Sequence, residues 1–101
     1  MLNRKDIDKD SYEIYLDRGR VYQDMGNHHF AIQDFNESLK WNPTSLAHYY
    51  SGISKLKSKD YLNAEEDFKK ALEMPGGEEN PGIQDGLGMC YHSLGDHYKS
   101  I

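Results

Sequence analysis

The residues of this chain with the most obvious chemistry are five histidines and one cysteine. Imidazole and thiolate are zinc ligands, and a metal-binding His pair on a helix ordinarily sits one turn apart. His28, His29, His92 and His97 with Cys90 would form the donor set. The spacing argues against it, because His92 and His97 straddle a Gly95-Asp96 turn signal and do not share a helix face. Cys90 sits beside Tyr91 in an apolar stretch, without the electropositive setting that a reactive thiol needs, and reads as a core residue. Gly86-Leu87-Gly88 resembles a fragment of a phosphate loop, but no strand precedes it and no third glycine follows at the required spacing. Glu65, Glu66 and Asp67 read as a solvated helix face, with nothing to gather them into a catalytic pocket. The expectation is a protein that is not an enzyme, with no catalytic, metal or cofactor site.

What remains is architecture. A chain of 101 residues makes one domain. Its hydrophobic fraction, 37%, is low for a closed globule, and eight tyrosines must supply much of the packing. The net charge of -5, with Arg4, Lys5 and Lys9 matched by Asp6, Asp8 and Asp10, speaks against nucleic acid and anionic membrane as partners. No apolar run approaches the roughly 20 residues of a membrane span. A single cysteine fits a reducing compartment. Cytoplasmic (intracellular) localisation is expected, with an organelle or a cytoskeletal assembly also open.

The chain repeats itself. Gly19, Gly52 and Gly88 are spaced by 33 and 36 residues. Ala31 and Ala64 lie twelve after their glycines, Phe35 and Phe68 sixteen, Leu39 and Leu72 twenty. Tyr22 and Tyr91 lie three after, with Lys55 between them in register. Gly26 and Gly95 lie seven after, with Lys59 in the middle copy. Asn27, Asp60 and Asp96 lie eight after, and all three suit a helix N-cap. The extra residues of the second interval fall at Pro75 to Gly82, a loop composition. Each copy therefore predicts two helices, the second with Ala-x-x-x-Phe-x-x-x-Leu along one face. Helices are expected near 12–26, 28–41, 44–58 and 61–74, with a third pair from 81. His28 and His97, aligned with Tyr61, then fall at a packing position. A glycine inside a helix costs about 1 kcal/mol against alanine. Its recurrence implies close approach of the paired axes, glycine against Ala31 or Ala64, and the pairs must stack to bury their faces.

This pattern resembles the tetratricopeptide repeat family. The first copy matches at Tyr15, Gly19, Tyr22, Gly26, Ala31, Phe35, Leu39 and Pro43. The second matches at Gly52, Tyr61, Ala64, Phe68, Ala71 and Leu72, and the third at Leu87, Gly88, Tyr91, Gly95 and Asp96. Arg18 and Ser51 stand where the family usually has Leu, and Ser38 where it has Ala. The resemblance implies an all-α, right-handed α-solenoid of antiparallel helix pairs, about two and a half repeats long. Residues 1–10 would be a charged extension and 11–101 the domain, with repeats at about 12–44, 45–78 and an incomplete 81–101.

The resemblance also implies a non-catalytic protein–protein interaction module with a concave groove lined by the first helix of each pair. Its ligand-facing positions here are Leu16, Arg20 and Gln23; Tyr49, Ile53 and Leu56; and Asp85, Met89 and His92. The middle of that groove is apolar and would suit a partner peptide or helix. The family's carboxylate clamp for chaperone C-terminal tails maps to Leu16, Arg20, Tyr50, Gly82 and Gly86, so a chaperone tail is not an expected partner. The alternative is a structural segment of a larger assembly, whose helices bind no free peptide. Ile101 lies thirteen after Gly88, so a sixth helix starting at Asp96 would be cut within its first turn. Leu87, Cys90, Tyr91 and Leu94 would then lack part of their cover, which a partner or a continuation of the solenoid would provide.

Overall fold

The helical periodicity of the sequence becomes five α-helices and no strand among the described residues of a computed structural model. The backbone is described for residues 4–99 and the side chains for residues 11–95. The helices are α1 (Arg4–Asp24), α2 (His28–Trp41), α3 (Ser45–Lys57), α4 (Tyr61–Glu73) and α5 (Pro81–Lys99), with a 3-10 turn at Gly77–Glu79. Each helix packs on the next in sequence, and α5 also reaches α3. The result is an all-α solenoid of antiparallel pairs. α1 extends back to Arg4, well before residue 12.

The turns within pairs are built alike. In the first, Gly26 takes φ +84° and Asn27 N–H donates to Tyr22 O at 2.8 Å. In the second, Lys59 takes φ +68° and Asp60 N–H donates to Lys55 O, again at 2.8 Å. Both are six-to-one helix endings with a left-handed residue, the conformation glycine accepts most readily. Asn27 and Asp60 occupy the N-cap positions, but neither side chain makes a capping bond. Thr44 does cap α3, accepting from Ala47 N–H at 3.2 Å. Asn80 precedes Pro81 and accepts from Gly82 N–H at 3.0 Å, which starts α5.

The third copy departs from the expected turn. α5 runs unbroken through Gly95 and Asp96, so no sixth helix starts there. A left-handed turn is stable when the following helix folds back and packs.

The recurrent glycines make room for rings. A Cβ on Gly19 would stand 2.6 Å from Phe35 Cε1, and one on Gly52 would stand 2.9 Å from Phe68 Cε1. The close approach is therefore glycine to phenylalanine, rather than to Ala31 or Ala64, which are nonetheless fully buried. Gly88 has nothing within 4 Å of its Cβ position. Ala64, Phe68 and Ala71 of α4 pack with Ile83, Leu87 and Cys90 of α5 in one core cluster. Leu87 and Cys90 are thus buried against α4, against the expectation that they lack part of their cover, while Tyr91 remains half exposed. Burying a ring such as Phe68 contributes about 2–3 kcal/mol.

Candidate protein-interaction surface

Polar residues set the geometry of each seam. Arg18, one before Gly19, donates from Nε to Asp34 Oδ2 at 2.8 Å and from Nη2 to Asp34 Oδ1 at 2.7 Å. Its guanidinium also lies 5.6 Å from the Tyr15 ring centre. The hydrogen bonds and charge of Asp34 hold the guanidinium protonated, well above its ordinary value. Asp67 is the register equivalent of Asp34, 33 residues on. Lys55 Nζ lies 2.7 Å from its Oδ2 and His48 Nδ1 lies 3.3 Å from its Oδ1. Burial pushes the Asp67 carboxyl up, but hydrogen bonds from His48 and Lys55 and the Lys55 charge outweigh it and hold the carboxyl below its ordinary value. Asp67 is therefore a buried, paired carboxylate and not part of a solvated face. Glu65 and Glu66 do pair at the surface, with Lys69 and Lys70.

The nine groove positions separate into two groups. Gln23 is bound into the scaffold, donating from Nε2 to Tyr50 O and to Ser54 Oγ at 2.8 Å each. His28 Nδ1 lies 3.2 Å from the same Ser54 hydroxyl. Tyr49, Ile53 and Leu56 are half-buried and pack against the cluster that includes α5. Burial raises the Tyr49 hydroxyl above its ordinary value, with Tyr50 and Asp85 adding to it. Leu16 is also half-buried. Arg20, Asp85, Met89 and His92 are exposed. Arg20 lies over the Tyr50 ring at 4.7 Å, and Tyr50 stacks on Phe35 at 6.0 Å.

Two openings flank α3. The larger, a cleft of about 570 Å3, lies between the start of α3 and the loop before α5. Leu46, Tyr49, Tyr50, Pro75 and Pro81 supply its apolar wall, with Glu79 and Asn80 at the loop side. The smaller, about 310 Å3, lies at the other end of α3 between Leu56, Tyr61, Met89 and Ser93. Pro75 and Pro81 were missed by the register argument because the three-residue insertion has no counterpart in the first copy, and Leu46 because it lies outside the three offsets used for the groove. The loop composition of Pro75 to Gly82 was the available signal.

Among the described residues no three of His, Cys, Asp and Glu lie close enough to hold a metal. His97 lies outside the residues whose side chains are described. Cys90 is buried, and burial, with the Glu65 charge, raises its thiol. Gly86 faces the Phe68 ring, so Gly86-Leu87-Gly88 is helix-packing sequence inside α5. No helix among the described residues is long and apolar enough to cross a membrane.

Stacked antiparallel helix pairs, with a glycine on the first helix opposed by a phenylalanine on the second, define a helical-repeat protein. Residues 12–45 match the family model of the tetratricopeptide repeat. It is 23% identical over 88 residues to Tetratricopeptide repeat protein 13 of Homo sapiens, which takes in 87% of this chain and 10% of that protein. It is 32% identical over 65 residues to the tetratricopeptide repeat and J domain-containing co-chaperone DNJ1 of Cryptococcus neoformans, 63% of this chain and 12% of that protein. The chain thus spans about a tenth of the length of these curated relatives.

Proposed function

We propose that the chain is a non-catalytic protein-interaction module that receives a segment of another protein on the concave side. The cleft at the start of α3 carries this reading. It joins exposed Leu46 to the faces of Tyr49 and Tyr50, with a few polar groups at one side. Concave apolar surface with sparse polar groups is the common form of a recognition site. Leu46, Tyr49, Tyr50 and Arg20 are the proposed contacts, with Asp85, Met89 and His92 continuing the surface, while Gln23, Ile53, Leu56 and Leu16 hold the scaffold. The repeats at 12–44, 45–78 and 81–101 are the proposed units. An acidic chaperone tail does not fit, since Arg20 is the only basic residue among the clamp positions. An intracellular, reducing setting is part of the proposal, supported by the single cysteine.

Photo-crosslinking tests it. A benzoylphenylalanine at Leu46 should give discrete protein adducts that the same probe at Leu62, an exposed site on α4, does not. Identical adducts from both sites, or none from Leu46, would remove the reading. The structural-segment reading is favoured by one observation, the exposed Met89 and Tyr91 beside the empty space at Gly88. It expects crosslinks from α5 and none from Leu46.

A further inference from the structure

One face of α1 carries two exposed apolar residues, Ile14 and Val21, whose register equivalents are buried, and Met25, just past the helix end, continues their stripe. Ile14 is 66% exposed, Val21 56% and Met25 65%. They lie at spacings of seven and four, and so form one stripe. In the second repeat Ile14 and Val21 become Ala47 and Ser54, both fully buried. In the third they become Ile83 and Cys90, also fully buried, in the core cluster that includes Ala64, Phe68 and Ala71 of the preceding helix. This α1 face is therefore continuous by register with two helix–helix interfaces already formed in the molecule.

Asp17 identifies what would cover it. Its equivalents receive the phenylalanine of the preceding helix. Tyr50 stacks on Phe35 at 6.0 Å, and Gly86 leaves space for the Phe68 ring. α1 offers a carboxylate at that point. Asp17 has no cation within ion-pair distance among the described residues, and Asp24 on the same helix has none either. A repeat helix that brings phenylalanine would bury an unpaired charge, which is strongly unfavourable. A helix that brings Lys or Arg would pair it.

We propose that the α1 face of Ile14, Asp17, Val21 and Met25 docks an amphipathic helix of a partner protein that carries an aliphatic stripe with a Lys or Arg at its centre. A second copy of this chain fits poorly. Its own open face on α5 presents Asp85 beside Met89, and each copy carries a net charge of -5.

Methyl NMR on the full 101-residue chain tests this with three peptides. The first is an alanine-based helix with a leucine stripe and a central Arg. The second has Glu in place of that Arg. The third copies residues 59–76, the α4 region with its phenylalanine. The Arg peptide should shift the methyl signals of Ile14, Val21 and Met25 and bind on the order of tenfold tighter than the Glu peptide, the ratio that a 1.4 kcal/mol interaction gives. Asp17→Lys, at an exposed position, should reverse that preference with an unchanged helical circular dichroism spectrum. Ile14→Ser with Val21→Ser should abolish binding. Equal binding of the Arg and Glu peptides, tighter binding of the α4 copy, or no shift at these methyls would overturn the proposal. So would concentration-dependent shifts of the chain alone, which would make the occupant a second copy. Because the concave-side proposal is read at Leu46, failure of one leaves the other standing.

Discussion

Lys55 Nζ lies 2.7 Å from Asp67 Oδ2, and it does in the second repeat what Arg18 does for Asp34 in the first. The two cations differ in register by one helical turn. Arg18 stands one before Gly19, while Lys55 stands three after Gly52. The position next to Gly52 holds Ser51 instead, and the position of Lys55 is held in the first repeat by Tyr22. Two apparent departures from the repeat pattern, Ser51 and Lys55, are thus one change, a charge moved along the helix to serve the same buried carboxylate.

Asp67→Asn should destabilise the fold by about 1–3 kcal/mol, because it takes away a charged hydrogen-bond acceptor from Lys55 and His48. The pH dependence follows from the lowered carboxyl. As pH falls through the ordinary aspartate value of 3.8, the unfolded chain takes up the proton first. The stabilisation is therefore full above that value and is lost as pH falls toward the lower folded value. Urea titrations across this acid range should show a steep loss in the wild type and a shallower one in Asp67→Asn. Parallel curves for the two proteins would contradict the assignment.

The glycines should respond to alanine in opposite directions. Gly19→Ala and Gly52→Ala place a methyl group against Phe35 and Phe68, and overpacking costs about 1–3 kcal/mol. Gly88→Ala meets nothing within 4 Å and should stabilise by up to about 1 kcal/mol through helix propensity alone. Denaturation midpoints of the three variants decide the matter. A stabilising Gly52→Ala would show that Phe68 yields.

Much of this was legible in the sequence because it repeats. Phe35 with Phe68 and Ala31 with Ala64 each occur twice at one offset from a glycine, and all four are fully buried. Asp34 and Asp67 also recur at one offset, and that repetition of a polar residue was the overlooked sign of the seam pairs. What single residues could not disclose was the partner across a seam. Spacing placed Gly19 opposite α2 but did not distinguish Ala31 from Phe35. The expected turn at Gly95-Asp96 failed for a related reason. The local signal matches Gly26-Asn27, but a turn of this kind is stabilised by the helix that packs after it. The groove set was a register argument, and register does not say that Gln23 is bound to Tyr50 and Ser54.

Lys59 offers a direct gain. It holds φ +68° in the turn where the first repeat has Gly26, a conformation that costs a side-chain-bearing residue roughly 1–2 kcal/mol. Lys59→Gly should stabilise by about 0.5–1 kcal/mol after its greater unfolded-state entropy is counted. Gly26→Ala should destabilise by a similar amount. Calorimetry on the pair checks both signs, and a destabilised Lys59→Gly would show that the left-handed turn carries no strain.

Cys90 should report how α5 is held. The helix packs through Ile83, Leu87 and Cys90, while its other side shows Met89 at 59% and Tyr91 at 50% exposure. It also carries four glycines, Gly82, Gly86, Gly88 and Gly95, each unfavourable in a helix by about 1 kcal/mol. A helix held mainly by α4, with a smaller contact to α3, and weakened in this way should open before the pairs α1–α2 and α3–α4. The buried thiol then reacts with a disulfide reagent only through such openings, and its raised value keeps the thiolate fraction low until they occur. Thiol exchange should give an opening free energy at least about 1 kcal/mol below that of global unfolding, with little dependence on denaturant. Gly88→Ala should raise it. If Cys90 reacts only with the full denaturant dependence of global unfolding, α5 belongs to the same cooperative unit as the two complete pairs.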